Sequence, residues 1–135
     1  MAAQLSVSVR NARLDSIETA IGVSAVLKMR TGSAPSTCAT ADSGTVIASY
    51  SLASDWMAAA SAGSKSLNST PLTVAASATG TLGHFRVYAS DGTTCHLQGT
   101  ISASGGGGDM IVDNTSVVSG QDVVISSFTL SDGNS

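Results

Sequence analysis

Charge is scarce in this chain. Six of its 135 residues are Lys or Arg and nine are Asp or Glu. That is 11% charged, where an ordinary globular protein carries about 25%. The net charge of −3 excludes the basic face on which nucleic-acid binding depends. Aromatic residues make up 4%, and proline and cysteine occur twice each. No apolar run reaches the roughly 20 residues of a membrane span. The start of the chain has no hydrophobic leader, so synthesis and assembly in a cytoplasm are expected. Catalytic and cofactor signatures are missing too. There is no G-x-S-x-G elbow, and the glycine run 105–108 has neither a Walker lysine nor a G-x-G-x-x-G pattern beside it. No cofactor and no enzymatic activity are expected.

What is present in quantity is Ala, Ser, Thr and Gly. Such side chains bury little area each, and at about 25 cal/mol per Å² they give a thin core. A thin core gains from a partner surface, which favours oligomerisation or docking. The length suits one domain. Residues 1–22 are read as a helical arm and 23–135 as a β-sandwich domain.

The most informative stretch is Gly83 to Ile101. Phe85, Val87 and Ala89 alternate with His84, Arg86 and Tyr88. After a turn, Cys95, Leu97, Gly99 and Ile101 alternate with His96, Gln98 and Thr100. Period-two alternation predicts a β-hairpin. A three-residue loop, Ser90-Asp91-Gly92, brings the apolar sets together and pairs Val87 with Cys95, Phe85 with Leu97 and Arg86 with His96. Gly92 suits the left-handed position of that turn.

Upstream, Leu5 to Gly22 is the one helix, with Val7, Leu14, Ile17 and Ile21 at helical spacing. Ser6 or Ser8 caps its start and Gly22 its end. The helix either covers its own sheet or docks on a neighbour; for docking, the candidate residues are Leu14, Ile17 and Ile21. Strands are predicted at Val23–Arg30, Thr45–Leu52, Leu72–Ala76, Met110–Val112 and Gln121–Leu130. Asp55–Ala60 is read as a helical turn holding Trp56 over the core edge. Ser61–Thr70 is read as a loop. In the last strand Val123 and Ile125 share one parity and Phe128 and Leu130 the other, so the switch at Ser126-Ser127 predicts a β-bulge. The fold class is therefore mainly β: an antiparallel β-sandwich with an N-terminal α-helix.

Three groups of side chains bear on chemistry. His84, Arg86 and His96 share a predicted hairpin face, yet two imidazoles need a third ligand to hold a metal, and surface hydrogen bonding accounts for them. Asp91, Asp109 and Asp113 lie in or beside turns without EF-hand spacing, and turn formation accounts for those. Cys38 and Cys95 are the only cysteines. Free thiols are the default in a cytoplasm; a disulfide between them would close a long loop and contribute about 4 kcal/mol.

Val9-Arg10-Asn11-Ala12-Arg13-Leu14-Asp15, Ile17-Glu18-Thr19-Ala20-Ile21-Gly22, Leu27-Lys28-Met29-Arg30-Thr31-Gly32 with Pro35, and Ala78-Thr79-Gly80-Thr81 before His84-Phe85-Arg86-Val87 follow one another in that order. From about Val9 to Leu130 the chain resembles a group of small tailed-bacteriophage virion structural proteins. The resemblance implies a structural role and carries over no catalytic residue. The expectation is a capsid decoration, or cement, protein on the outside of the virion. It would bind the major capsid protein as a homo-oligomer, a trimer being favoured, and stabilise the capsid by bridging capsomers. The alternative is a tail or fibre module that contacts host glycan through loops such as Ser61–Thr70.

Overall fold

The computed structural model describes residues 3–68 and 70–133. Residues 1, 2, 69, 134 and 135, which the domain and loop readings include, lie outside the described residues. The protein is mainly β with one N-terminal helix, α1 (Val7–Ile21). Among the described residues nine strands follow: β1 (Val26–Thr31), β2 (Val46–Ser51), β3 (Ser64–Ser66), β4 (Leu72–Ala75), β5 (Gly80–Tyr88), β6 (Cys95–Ala103), β7 (Met110–Val112), β8 (Ser116–Val117) and β9 (Asp122–Ser131).

The strands form one curled sheet in the order β2-β1-β5-β6-β7-β9-β3, with β4 on β9 and β8 on β5. Just past β4, Ala76 bridges Ala48 of β2, so the sheet bends round nearly to meet itself. Pairing is mixed: β6 and β7 run parallel. The expected mainly β body with an N-terminal helix is present, its strands joined in a curled, mixed sheet. In the connection between β6 and β7, Gly105 and Gly107 take φ +85° and +78°, and the Gly108 amide donates to the Ser102 hydroxyl. The ring of Phe85 on β5 meets Phe128 of β9 edge to face, with centroids 5.1 Å apart, across the interior. Leu27, Met29, Ile47, Val74, Val87, Met110, Val123 and Ile125 fill the space around them.

Ser6 caps α1 by accepting from the Val9 amide, and Gly22 leaves it at φ +89°, a value that favours glycine. Leu14 and Ile21 are buried and Ile17 packs against the core. The three docking candidates are therefore used within the chain, because helix and sheet cover one another. Polar contacts reinforce this. Lys65 of β3, its side chain only 2% exposed, lies 2.8 Å from Asp15 Oδ1 and 3.1 Å from Glu18 Oε2. Burial alone would lower the Lys65 pKa, but the two carboxylates raise it above its ordinary value. Arg10 donates to the Asp132 carbonyl and the Gly63 amide to Asn11. From Arg10 to Ile21, α1 is thus joined to the body. Lys65→Ala is expected to speed hydrogen exchange of the α1 amides while leaving those of β5 unchanged. Unchanged exchange in α1 would mean that apolar contacts hold the helix by themselves.

Other expectations are refined. The strand read from Val23 begins at Val26, because Ser24 takes φ +58°, and Val23 is 64% exposed. Asp55–Ala60 is extended rather than helical, since Met57 bridges Leu67; Trp56 is still buried. The Ser61–Thr70 loop contains β3, whose Ser-Lys-Ser sequence shows no alternation of apolar residues. In β9 the bulge falls where the parity switch places it: Ile111 pairs with Ser127 and Val112 with Ile125, leaving Ser126 extra.

Candidate functional site: a strap over the central hairpin

β5 is flanked by β1 and β6 and buried on both faces. Phe85 and Val87 point inward. His84, Arg86 and Tyr88 point the other way, yet they are 0%, 2% and 0% exposed, so something other than solvent must cover them. The cover is the segment 32–44, a strap of small polar residues laid over the outer face of β1, β5 and β6. Gly83 admits its start, for a Cβ there would lie 2.1 Å from the Gly32 carbonyl oxygen. Gly44 ends it at φ +70°, where a Cβ would strike the Thr31 carbonyl.

Asp42 is the centre of the strap's contacts. Its Oδ1 accepts from Arg86 Nη1 at 2.6 Å and from the Tyr88 hydroxyl at 2.7 Å, and its Oδ2 accepts from Arg30 Nη2 at 2.9 Å. Arg86 also donates to the Thr37 and Thr40 carbonyls and, through Nε, to Gln98. Gln98 in turn donates to the Pro35 carbonyl at 2.6 Å. The guanidinium thus clamps one carboxylate and two backbone carbonyls of a segment that has few apolar groups to bury. Partial burial pushes the Asp42 carboxyl up, but the Tyr88 and Arg86 hydrogen bonds and the two guanidinium charges hold it below its ordinary value. Burial raises the Tyr88 pKa, and its bond to Asp42 adds to the shift. Lys28 donates to the Gly92 carbonyl and stands 4.9 Å above the Tyr88 ring. At the other end of the strap, His84 Nδ1 is 2.8 Å from the Gly32 carbonyl. His84 Nε2 and Arg30 Nε are buried without partners, on residues that face each other across β1 and β5.

The hairpin register differs from expectation. Tyr88 pairs with Cys95, Val87 with Leu97, Arg86 with Gln98 and Phe85 with Gly99. The turn is one residue longer than the predicted loop, because Asp91 accepts from the Thr93 and Thr94 amides and closes its own turn. The Thr94 hydroxyl, which also donates to Asp91, and then those amides hold the Asp91 carboxyl far below its usual range. A bulge at His96 then restores the apolar pairing. Gly92 takes φ +71° as anticipated. The consequence for Cys95 is large. It faces the strap instead of the core, and its Sγ lies 2.8 Å from Cys38 Sγ on the strap. Burial, then the neighbouring Cys38, pushes the Cys95 thiol up to about 12.

His84 and Arg86 share the strap-covered face, but His96 is exposed on the bulge and does not join them. Among the described residues no group of three His, Cys, Asp or Glu side chains is placed to hold a metal. Asp109 accepts from the Thr100 amide and hydroxyl, and Asp113 from the Asn114 and Val124 amides; both carboxylates satisfy backbone groups at turns. Asp42 escaped sequence reasoning. Its only signal was a lone acid in an otherwise uncharged loop. A second feature lies away from the strap: a cavity of about 130 Å³ lined by Tyr50, Leu52, Asp55, Trp56, Leu67 and Asn68, among others. The Asn68 amide donates to the Asp55 carboxylate at its rim.

The site and fold define a helix-docked, curled β body sealed by a polar strap. Compared with protein-family models, curated proteins and solved structures, the chain matches none.

Proposed function

We propose that the protein is a bacteriophage virion structural protein of the capsid-decoration type, acting by binding rather than by catalysis. It seats on the major capsid protein from outside and bridges neighbouring capsomers as a trimer. The observation that carries this reading is the tip of α1. The helix is fastened to the body from Arg10 onward, and its first turn exposes Val7 and Val9, 46% and 44% accessible. Apolar residues on a helical turn lose little freedom on docking. Many symmetric copies also make weak single contacts add up. The resemblance to tailed-phage virion proteins supports the same reading.

Reconstruction of intact particles by cryo-electron microscopy tests it. Density for the chain on the capsid exterior is expected; density confined to the tail would overturn it. The double variant Val7→Asp, Val9→Asp is expected to keep the wild-type melting temperature and to lose capsid binding in co-sedimentation.

The cavity beside Trp56 favours a second reading, a tail or fibre module that binds host glycan. It offers an aromatic and aliphatic wall with an amide and a carboxylate at the rim, a combination suited to a sugar ring. Binding of the isolated protein to host cells, absent on purified capsids and lost in Tyr50→Ala, would replace the first reading with this one.

A further inference from the structure

The strap is held to the hairpin by the hydrogen bonds of Asp42, Arg86 and Gln98, and it brings a second sulfur beside Cys95. We propose that Cys38 and Cys95 are a redox-controlled latch that locks the strap covalently once the protein passes from a reducing to an oxidising compartment. The inference does not depend on the virion reading.

Two independent features place the sulfurs together. Cys95 is turned outward by the His96 bulge, which sets it opposite Tyr88. Cys38 sits between Thr37 and Thr40, whose carbonyls are both bound by the Arg86 guanidinium. The same clamp that fastens the strap therefore delivers its thiol, and the two sulfurs lie 2.8 Å apart, so a bond of about 2.05 Å needs them to close by less than 1 Å. Both residues are partly accessible, so a small oxidant can reach them.

The oxidant is a low-molecular-weight disulfide such as oxidised glutathione. The Cys38 thiol loses its proton to solvent, and the thiolate attacks one sulfur of the oxidant. A mixed disulfide forms on Cys38 and one small thiolate leaves. The Cys95 thiol then gives up its proton, attacks the Cys38 sulfur and expels the second small thiolate. Two protein thiols become one disulfide and one small disulfide becomes two thiols, a two-electron exchange. Because burial holds the Cys95 proton tightly, the Cys95 step is the slow one. The nearby Arg86 guanidinium favours the Cys95 thiolate. In a glutathione-reduced cytoplasm the latch stays open; outside the cell it closes.

The full chain is incubated with oxidised glutathione or with dithiothreitol, then examined by intact mass, peptide mapping and thermal melting. Oxidation is expected to remove about 2 Da and to give one cross-linked peptide pair joining Cys38 to Cys95. It is also expected to raise the melting temperature by about 10 °C, since a long loop is closed. Cys38→Ser and Cys95→Ser are expected to melt at one temperature under both conditions. In Asp42→Ala, where the clamp is weakened, oxidation is expected to restore resistance of the strap to proteinase K. Stable glutathione adducts without a cross-link, two unreacted thiols, or equal melting of oxidised and reduced wild type would each overturn the proposal.

Discussion

Asp42→Ala is expected to destabilise the protein by about 2–3 kcal/mol and to open the strap before the rest of the body unfolds. Removing one partner of a buried ion pair leaves an uncompensated charge, at a cost of about 3–5 kcal/mol when both groups are fully buried. Arg86 meets that condition with 2% exposure, whereas the Asp42 side chain is 37% exposed. Solvent screens part of the pair, which sets the lower figure. Acid should imitate the substitution. The Asp42 carboxyl is held below its ordinary 3.8 in the folded protein, so the unfolded chain binds its proton more readily. The stabilisation is therefore complete above the unfolded value. It disappears as the pH falls from about 4 through the depressed folded value. Equilibrium unfolding of wild type and Asp42→Ala from pH 7 to pH 2 checks this. Wild type should lose its advantage in that window and the two curves should converge. Parallel curves down to pH 2 would place the strap's anchorage elsewhere.

Phe128→Ala is expected to cost more, about 3–5 kcal/mol. The chain has two phenylalanines, and their rings touch across the interior at 5.1 Å. Most of the surrounding side chains are aliphatic and of modest size. Phe85 and Phe128 themselves lie on β5 and β9, each hydrogen-bonded to strands on both sides, so the backbone has little means of collapsing into the space left behind. Gly99 shows how closely the site is fitted, for a Cβ there would lie 2.8 Å from the Phe85 ring. Phe128→Leu should lose about 1 kcal/mol, because it keeps most of the volume. Urea unfolding measures both. A loss below about 1 kcal/mol for Phe128→Ala, with the same denaturant slope, would mean that the interior closes over the gap.

What the sequence revealed was local. The caps Ser6 and Gly22, the left-handed Gly92 and the bulge beside Ser127 each depend on neighbours a few residues away, and each is where the pattern places it. The register of the hairpin failed by a small margin, since Asp91 captures its own turn amides and lengthens the loop. The strap was illegible for a different reason. Arg86 and Asp42 are 44 positions apart, and outward-facing charge on a strand reads as solvated until a loop is known to lie on it. Cys95 was read as inward because of the register error, and the pairing with Cys38 that the sequence left open is favoured only once the bulge turns Cys95 toward the strap. The exposed valines of α1 were hidden by the helix's own period, which groups Val7 with the residues that the body covers.

One strand determines when the body can be completed. β9 bonds to β3, β4 and β7, and it comes last in the chain. Without it, β4 has no paired neighbour and β7 keeps only β6. A chain cut before residue 122 is therefore expected to leave Val74, Met110 and Val112 open to water and to fail to close its core, which circular dichroism and thermal melting of the truncated protein would check.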